Sequence, residues 1–313
     1  MANLKIAVFG AGGIGGYFAG TLTRAGYPVA LIARGKQLEA IRRAGLRVEG
    51  PKETFTVQLT QVTDKPEELG RVDAIILAVK AWQVTEAAES LRPMLAAQTK
   101  VLPFENGVEA PEQLEEALGR EHVLVGLCRI ISAVAGPGHI RHAGMQPMIA
   151  IGEMDNAPLS RVAQGLVEAF RASGSSVDTP KDIQAALWEK LIFIAGMSGV
   201  GGVTRATIGE IRQCSPTREI LEKMFTEVAA VARARGINVS SDYVTRTMAF
   251  VDTLPASGTA SMQRDIADGK PSELEAIIGS VVRFGREAGV ATEVTDYIYA
   301  SLLPQERRAR GGK

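Results

Sequence analysis

The sequence predicts an α/β protein: an N-terminal doubly wound parallel sheet followed by an all-α C-terminal domain. Three observations predict this. An apolar run, Leu4 to Phe9, meets a glycine-rich turn, Gly10-Ala11-Gly12-Gly13-Ile14-Gly15, and a helix-like segment follows. Buried-strand patterns then alternate with helical ones as far as Gly126. From Asp182 onward almost every segment carries the helical period. With 313 residues, two domains are expected, residues 1–179 and 180–313, divided near Thr179-Pro180.

Each element follows from its own pattern. Leu4–Phe9 reads as a buried strand, Gly16–Arg24 as a helix and Tyr27–Ala33 as the second strand. Leu38–Ala44 is a short helix. Leu46–Gly50 and Thr54–Leu59 alternate on either side of a Gly-Pro turn, as a strand pair does. Val72–Val79 is a long β-rich run suited to a parallel strand covered on both faces. Gln83–Ala97 (helix), Lys100–Phe104 (strand), Pro111–Leu118 (helix) and His122–Gly126 (strand) continue the alternation, which implies βαβ units. Beyond Gly126 the rhythm breaks. Leu127–Ala135, Gly138–Ala143 and Pro147–Ile151 are short β-type runs with turn residues between them, suited to antiparallel extension of the sheet. Leu159–Ala172 is a helix. The tail Gln305–Lys313, charged and glycine-ended, is expected to fray.

Composition excludes several function classes. Lys+Arg and Asp+Glu both number 35, so the chain lacks the net charge of a polyanion binder, and neither nucleic acid nor membrane is expected as a partner. The two cysteines, Cys128 and Cys214, make no disulfide framework and fit a reducing compartment. The N-terminus enters a strand without a charged leader or cleavage site, and no apolar run is expected to reach the length of a membrane span. A soluble, cytoplasmic protein is therefore expected.

Between a strand and a helix, Gly10, Gly12 and Gly15 make the Rossmann-type fingerprint for a dinucleotide. Gly10 permits the tight turn, Gly12 removes a side chain from the path of a pyrophosphate, and Gly15 lets helix and strand pack closely. The start of the helix, Gly12 to Gly15 with Gly13 and Ile14 between, offers N–H groups and a positive dipole to phosphate. The second strand ends in Arg34-Gly35-Lys36 without the carboxylate that would accept from an NAD ribose. Arg34 can instead grip the 2′-phosphate of NADP, so NADPH/NADP is the expected cofactor; the alternative is a solvated arginine.

Lys190 stands on or beside an apolar helical stripe of Ile183, Ala186, Leu187, Leu191, Ile194 and Ala195 in a helix with Asp182 as its candidate N-cap. Such a lysine either snorkels to water or donates a proton to a carbonyl oxygen receiving a hydride. Lys80 and Asn106 follow strands, at the carboxyl edge where open sheets bind ligands; the alternative for each is a turn residue. Glu273 complements a helix dipole or serves a site, and Ser261 caps a helix or serves a site. His139 and His142 with Cys128 have poor ligand spacing, so no metal is expected. No GxSxG elbow occurs, and Cys214 has no histidine near it in sequence.

These segments accumulate into a resemblance. Gly10–Gly15, Val79-Lys80-Ala81-Trp82-Gln83, Glu105-Asn106-Gly107-Val108, Gly136-Pro137-Gly138-His139-Ile140, Leu187-Trp188-Glu189-Lys190-Leu191, Ala260 to Ile266 and Glu273 to Gly279 together resemble the ketopantoate reductase (2-dehydropantoate 2-reductase) family over most of the chain. The resemblance implies NADPH-dependent reduction of ketopantoate to pantoate in pantothenate biosynthesis. It implies Lys190 as general acid, Glu273 as an active-site carboxylate, Asn106 beside nicotinamide and substrate, and Lys80 at the cofactor edge. It also implies Ser261 at the substrate carboxylate and Arg34 at the 2′-phosphate. Members often carry asparagines four and eight residues after the lysine; here Ile194 and Ser198 stand there, Ser198 keeping a hydroxyl for substrate. That departure, with the glycine-rich run Ala195 to Val203, points to an altered substrate pocket and leaves open another 2- or 3-oxo acid. A non-catalytic NADP-binding sensor is the alternative of a different class. The partner is a small 2-oxo acid, with domain closure around the cofactor expected. A homodimer is suggested by apolar Ile277, Ile278, Val281 and Val282.

Overall fold

The computed structural model describes residues 4–312. They form two compact units. One runs to Glu105 and resumes over Ala110–Ile183; the other comprises Asn106–Glu109 and the chain from Gln184.

The first unit contains β1 (Ile6–Phe9), α1 (Gly13–Arg24), β2 (Val29–Ile32), α2 (Gly35–Ala44), β3 (Leu46–Glu49), β4 (Thr54–Val57), β5 (Gln61–Thr63) and β6 (Ala74–Leu77). It continues with α3 (Val84–Leu91), β7 (Lys100–Pro103), α4 (Ala110–Leu118), β8 (Leu124–Gly136), β9 (His139–Glu153), α5 (Arg161–Ala172) and β10 (Ser176–Asp178). Five strands make a parallel sheet in the order β5-β2-β1-β6-β7. Side chains alternate along β1, and both faces are buried. Ile6 and Val8 join α1 and α5 in a core centred on Phe18, Phe104 and Phe170, whereas Ala7 and Phe9 pack with Val84, Ala88 and Leu91 of α3 and Leu114 of α4. The strand order turns back at β1, with β2 on one side and β6 on the other. Open sheets of this kind bind ligands outside the carboxyl ends of those strands.

The three short β-runs expected after Gly126 are instead two long strands, β8 of 13 residues and β9 of 15, paired antiparallel. They do not extend the first sheet by hairpins. They build a second one, in which β9 also pairs in parallel with β3 and β10, and β3 pairs antiparallel with β4. Two glycines misled the local reading. Gly126 lies inside the continuous strand because a Cβ there would stand 2.4 Å from Leu102 Cδ1, and Gly144, at φ +83°, is absorbed within β9. Helix α1 packs against this second sheet through glycines. A Cβ on Gly16 would lie 2.7 Å from Ile140 Cδ1, and one on Gly20 would lie 2.5 Å from Val48 Cγ2.

The helical unit contains most of α6 (Ile183–Thr204), then α7 (Ile208–Gln213), α8 (Ser215–Ala234), α9 (Tyr243–Thr253) and α10 (Ser261–Ala267). A π-helical turn, Glu275–Gly279, leads straight into α11 (Ser280–Ala288), and α12 (Glu293–Ala309) follows. At the N-terminus of α6 the Ile183 N–H donates to Asn156 Oδ1 at 2.9 Å, from a residue at φ 56°.

Helix α6 overturns the expectation that no apolar run reaches a span's length. It has 22 residues and contains an 18-residue window of mean hydropathy 1.3, long and apolar enough to cross a membrane, yet 72% of that window is buried inside the protein. A helix surrounded by other helices is apolar on all sides, not along one stripe. Its glycine run has the same cause. A Cβ on Gly196 would lie 2.3 Å from Phe225 Cε1, one on Gly199 2.9 Å from Met224 Cε, and one on Gly202 3.2 Å from Leu302 Cδ1. These glycines admit α8 and α12.

Two further expectations are corrected. Ile277, Ile278, Val281 and Val282 are all buried in the core, so they present no apolar surface to a second copy. The tail does not fray at Gln305, because α12 continues to Ala309 and Glu306 is only 3% exposed. Lys313 lies outside the described residues. Neither cysteine is in a disulfide; Cys128 is buried and Cys214 exposed.

Candidate functional site

The glycine turn joins the carboxyl ends of three neighbouring strands. Gly10 adopts φ +109°, and its N–H donates to Ile32 O at the end of β2 (3.1 Å). A Cβ at Gly10 would stand 2.5 Å from the carbonyl oxygen of Ala78, just past β6. At Gly15 it would stand 2.0 Å from Gly10 O, and at Gly13 2.5 Å from Ser132 O of β8. Protein packing therefore requires three of these glycines. Gly12 differs. Its backbone is extended (φ −77°, ψ −169°), and a Cβ would meet nothing within 4 Å. Nothing in the protein demands glycine there, so the space beside it suits a bound group. Gly12 is also the N-cap of α1, a helix with no side-chain cap and no acidic residue in its first turn. The N–H groups of Gly13, Ile14 and Gly15 have no acceptor one turn earlier in the helix, an arrangement that receives an anion. The donor set fits a pyrophosphate.

Arg34 is the N-cap of α2, directly beyond β2, and like Lys36 it is exposed. This helix too has no side-chain cap and no acid in its first turn. Two cations at a helix's positive end oppose its dipole, an unfavourable placement that a bound anion relieves. A 2′-phosphate fits. Lys80 is exposed at the carboxyl end of β6, with Nζ 5.8 Å from the centroid of the Trp82 ring. The sequence pattern missed Glu105, which is 5% exposed and whose Oε1 accepts from Val79 N–H (3.0 Å). This bond ties the end of β7 to that of β6. Its only sequence signal was its place beside Asn106.

The other candidate residues lie in the helical unit. The short segment Asn106–Glu109 belongs there although it follows β7 in sequence. Asn106 Nδ2 donates to Glu273 Oε2 at 2.9 Å, joining residues 167 apart. Glu109 receives two hydrogen bonds from Arg283 Nη2 (2.9 and 3.0 Å), and Arg283 also reaches Glu275 (3.2 Å), which accepts from Tyr299 Oη. Gly107, at φ +100°, passes so close that a Cβ would stand 2.8 Å from Ala276 O. Glu273 is 8% exposed and lies two residues before the π-helical segment, a distortion found mostly at functional sites.

Lys190 is 6% exposed, so its ammonium does not snorkel freely into water. Beside it on α6, the Glu189 carbonyl accepts from Tyr243 Oη (2.7 Å). Ser198, two turns further along α6, is buried, whereas Ile194 between them is half-buried. Ser261 is exposed as the first residue of α10. Buried Gln263 fixes that helix start: Ala260 N–H donates to its Oε1 (3.2 Å), and its Nε2 donates to Ala206 O just beyond α6 (2.8 Å). Gly201 makes room for this amide, since a Cβ there would be 2.5 Å from Gln263 Oε1. The structure thus brings Asn106 to Glu273 and the start of α10 to the end of α6. Among the described residues no group of three or more His, Cys, Asp or Glu could hold a metal. A cavity of about 290 Å³, lined in part by Glu153, Asn156, Pro158, Thr179 and Lys181, contains none of the candidate residues.

A glycine turn at the switch point of a parallel sheet, followed by a helical unit with a buried lysine and carboxylate, is the arrangement of two-domain nicotinamide-nucleotide oxidoreductases. Comparison with known proteins makes the class specific. The model of the ketopantoate reductase PanE/ApbA family matches residues 6–156, and the model of its C-terminal domain matches residues 182–306. The chain belongs to the ketopantoate reductase family. The uncharacterized oxidoreductase YkpB of Bacillus subtilis is 28% identical over 303 residues, 97% of this chain and 99% of its own. A 2-dehydropantoate 2-reductase of Halobacterium salinarum is 30% identical over 292 residues, 93% and 95% of the two chains. The crystal structure of a PanE/ApbA family ketopantoate reductase from Ralstonia eutropha superposes with a TM-score of 0.89 at 29% identity, covering 98% of this chain and all of that one. A D-mandelate dehydrogenase solved with NADH and anilino(oxo)acetate shares the fold, with a TM-score of 0.87 at 22% identity over 98% of this chain and 100% of that one.

Proposed function

We propose that this protein reduces 2-dehydropantoate (ketopantoate) to pantoate with NADPH, in the cytoplasm, as a step of pantothenate biosynthesis. The observation that carries the proposal is the 2.9 Å hydrogen bond from Asn106 to Glu273. It pairs an amide and a buried carboxylate from two motifs far apart in sequence, in the same helical unit as the buried Lys190.

The chain's residues divide the work. Gly10, Gly12, Gly13, Ile14 and Gly15 hold the cofactor's phosphates, Arg34 its 2′-phosphate, and Lys80 and Asn106 its nicotinamide side. Bound NADPH supplies a hydride to the keto carbon. Lys190 gives a proton to the keto oxygen, and its charge stabilises the alkoxide as it develops. Burial makes that charge more effective than it would be in water. Asn106, Glu273, Ser198 and Ser261 orient the oxo acid, with Glu273 Oε1 free of hydrogen-bond partners among the described residues and so available to a substrate hydroxyl. Glu273 thereby joins Lys190 in the catalytic set.

Half-buried Ile194 favours a second reading of the substrate. An isoleucine cannot bond a hydroxyl, so a 2- or 3-oxo acid with an apolar tail is the alternative. Following NADPH absorbance with 2-dehydropantoate and a panel of 2- and 3-oxo acids tests both. Turnover fastest with 2-dehydropantoate supports the proposal, and a clear preference for an apolar oxo acid supports the alternative. Nucleotide binding without oxidation by any oxo acid would leave a sensor.

A further inference from the structure

We infer that Glu306, on the last helix, is a positioning residue for Glu273; the inference rests on the proposed role of Glu273 at the substrate. Glu306 is 3% exposed, and Ser272, the residue just before Glu273, is fully buried. The Ser272 N–H donates to both Glu306 oxygens (3.1 and 3.0 Å), and its Oγ donates to Oε2 (2.6 Å). Arg310 completes the clasp. Its Nε donates to Glu306 Oε1 (2.6 Å) and its Nη2 to the carbonyl of Ser272 (2.9 Å). The N–H, hydroxyl and carbonyl of Ser272 are therefore all held by one ion pair, Glu306 of α12 with Arg310 just past its end.

The hold extends past Glu273. Ser272 Oγ also accepts from Leu274 N–H (3.3 Å), so the backbone on both sides of Glu273 is tied to the same hydroxyl. Beyond Leu274 the helix is π-helical, a distortion found mostly at functional sites. The anchor of this backbone is a charged acceptor 34 residues away in sequence. Hydrogen bonds to a charged group are about twice as strong as neutral ones, which suits a constraint that must hold a carboxylate against Asn106. Had Ser272 merely capped a helix, it would not have needed a buried charge brought from a distant helix.

A double-mutant cycle on the full-length protein tests this, with oxo acid and nucleotide kinetics measured separately. Glu306→Gln keeps the volume of the side chain but turns an amide toward donors. The expected result is a fall of about tenfold or more in kcat/KM for the oxo acid, with KM for the nucleotide changed less than about twofold. In a Glu273→Gln background the same change should cost less than about twofold, because a residue acting through Glu273 has nothing left to position. Equal losses in both backgrounds, or wild-type oxo acid kinetics for Glu306→Gln, overturn the inference. Should Glu306→Gln not fold, Ser272→Ala removes the hydroxyl bridge alone and enters the same cycle with the same criteria. Wild-type kinetics for Glu273→Gln itself would refute the role of Glu273 and the inference with it. An impaired Glu273→Gln beside an unaffected Glu306→Gln would refute the inference only.

Discussion

Gly12→Ala separates nucleotide binding from folding. A Cβ at Gly12 meets no protein atom within 4 Å, and φ −77°, ψ −169° is open to any L-residue. Replacing glycine by alanine at a compatible position stabilises by about 0.4–1 kcal/mol through the unfolded chain. Alanine is a poorer N-cap than glycine by a similar few tenths to about 1 kcal/mol. The two effects nearly cancel, so the melting temperature should move by no more than about 2 °C. The added methyl nevertheless occupies the space proposed for the pyrophosphate, and a loss of about 1.4 kcal/mol or more there weakens binding about tenfold or more. Gly15→Ala is the contrasting control. Its Cβ would stand 2.0 Å from a backbone oxygen, and overpacking of that kind costs about 1–3 kcal/mol. Thermal unfolding of both variants without nucleotide, together with calorimetric titration by NADPH, measures the pair. Wild-type affinity in Gly12→Ala would refute the cradle. A large drop in its melting temperature would refute the claim that the space beside Gly12 is empty of protein.

Three other outcomes are expected. Lys190→Ala should lower kcat by about 10²–10⁴-fold, the usual worth of a general acid, while calorimetry finds NADPH affinity retained; an unchanged kcat would remove Lys190 from the chemistry. Arg34→Ala should weaken NADPH by roughly tenfold to a hundredfold, the worth of lost charged hydrogen bonds, and leave NADH alone. Equal losses for both nucleotides would contradict a 2′-phosphate contact. Burial first, and then the hydrogen bond to Glu275, push the Tyr299 hydroxyl up to about 12. Its folded value lies above the unfolded one of about 10, so the stabilisation by the protonated phenol is complete below pH 10 and is lost as pH rises from about 10 through 12. Alkaline difference spectra should show a tyrosine titrating near 12 that is absent from Tyr299→Phe. Complete ionisation of all tyrosines well below that pH would show that the phenol is not buried and bonded as described.

Local pattern carried the first half of the molecule well. The parallel strands β1, β2, β6 and β7, their helices and the β3–β4 pair are each specified by a period of two or of 3.6 residues together with turn glycines, whereas the three-residue edge strand β5 was too short to show a period. Those signals are local because strand faces and helix stripes repeat within a few residues. The same local logic failed wherever a glycine served a distant neighbour. Gly126 looked like a break and is a close approach to Leu102; the α6 glycines looked like a pocket and are sockets for Phe225, Met224 and Leu302. It failed again at Glu306, where a charged tail pattern concealed a buried carboxylate.

What the sequence alone determined is therefore the fold class and the nucleotide-type turn, together with the residue types able to move a proton. Tertiary structure decided which of them meet. Asn106 lies beside Glu273, Glu306 holds Ser272, and β8 and β9 form a second sheet with β3, β4 and β10. The reason is physical: backbone conformation and amphipathic faces are set by neighbours along the chain. Contacts between residues 34 or 167 positions apart exist only once whole elements have packed and excluded water.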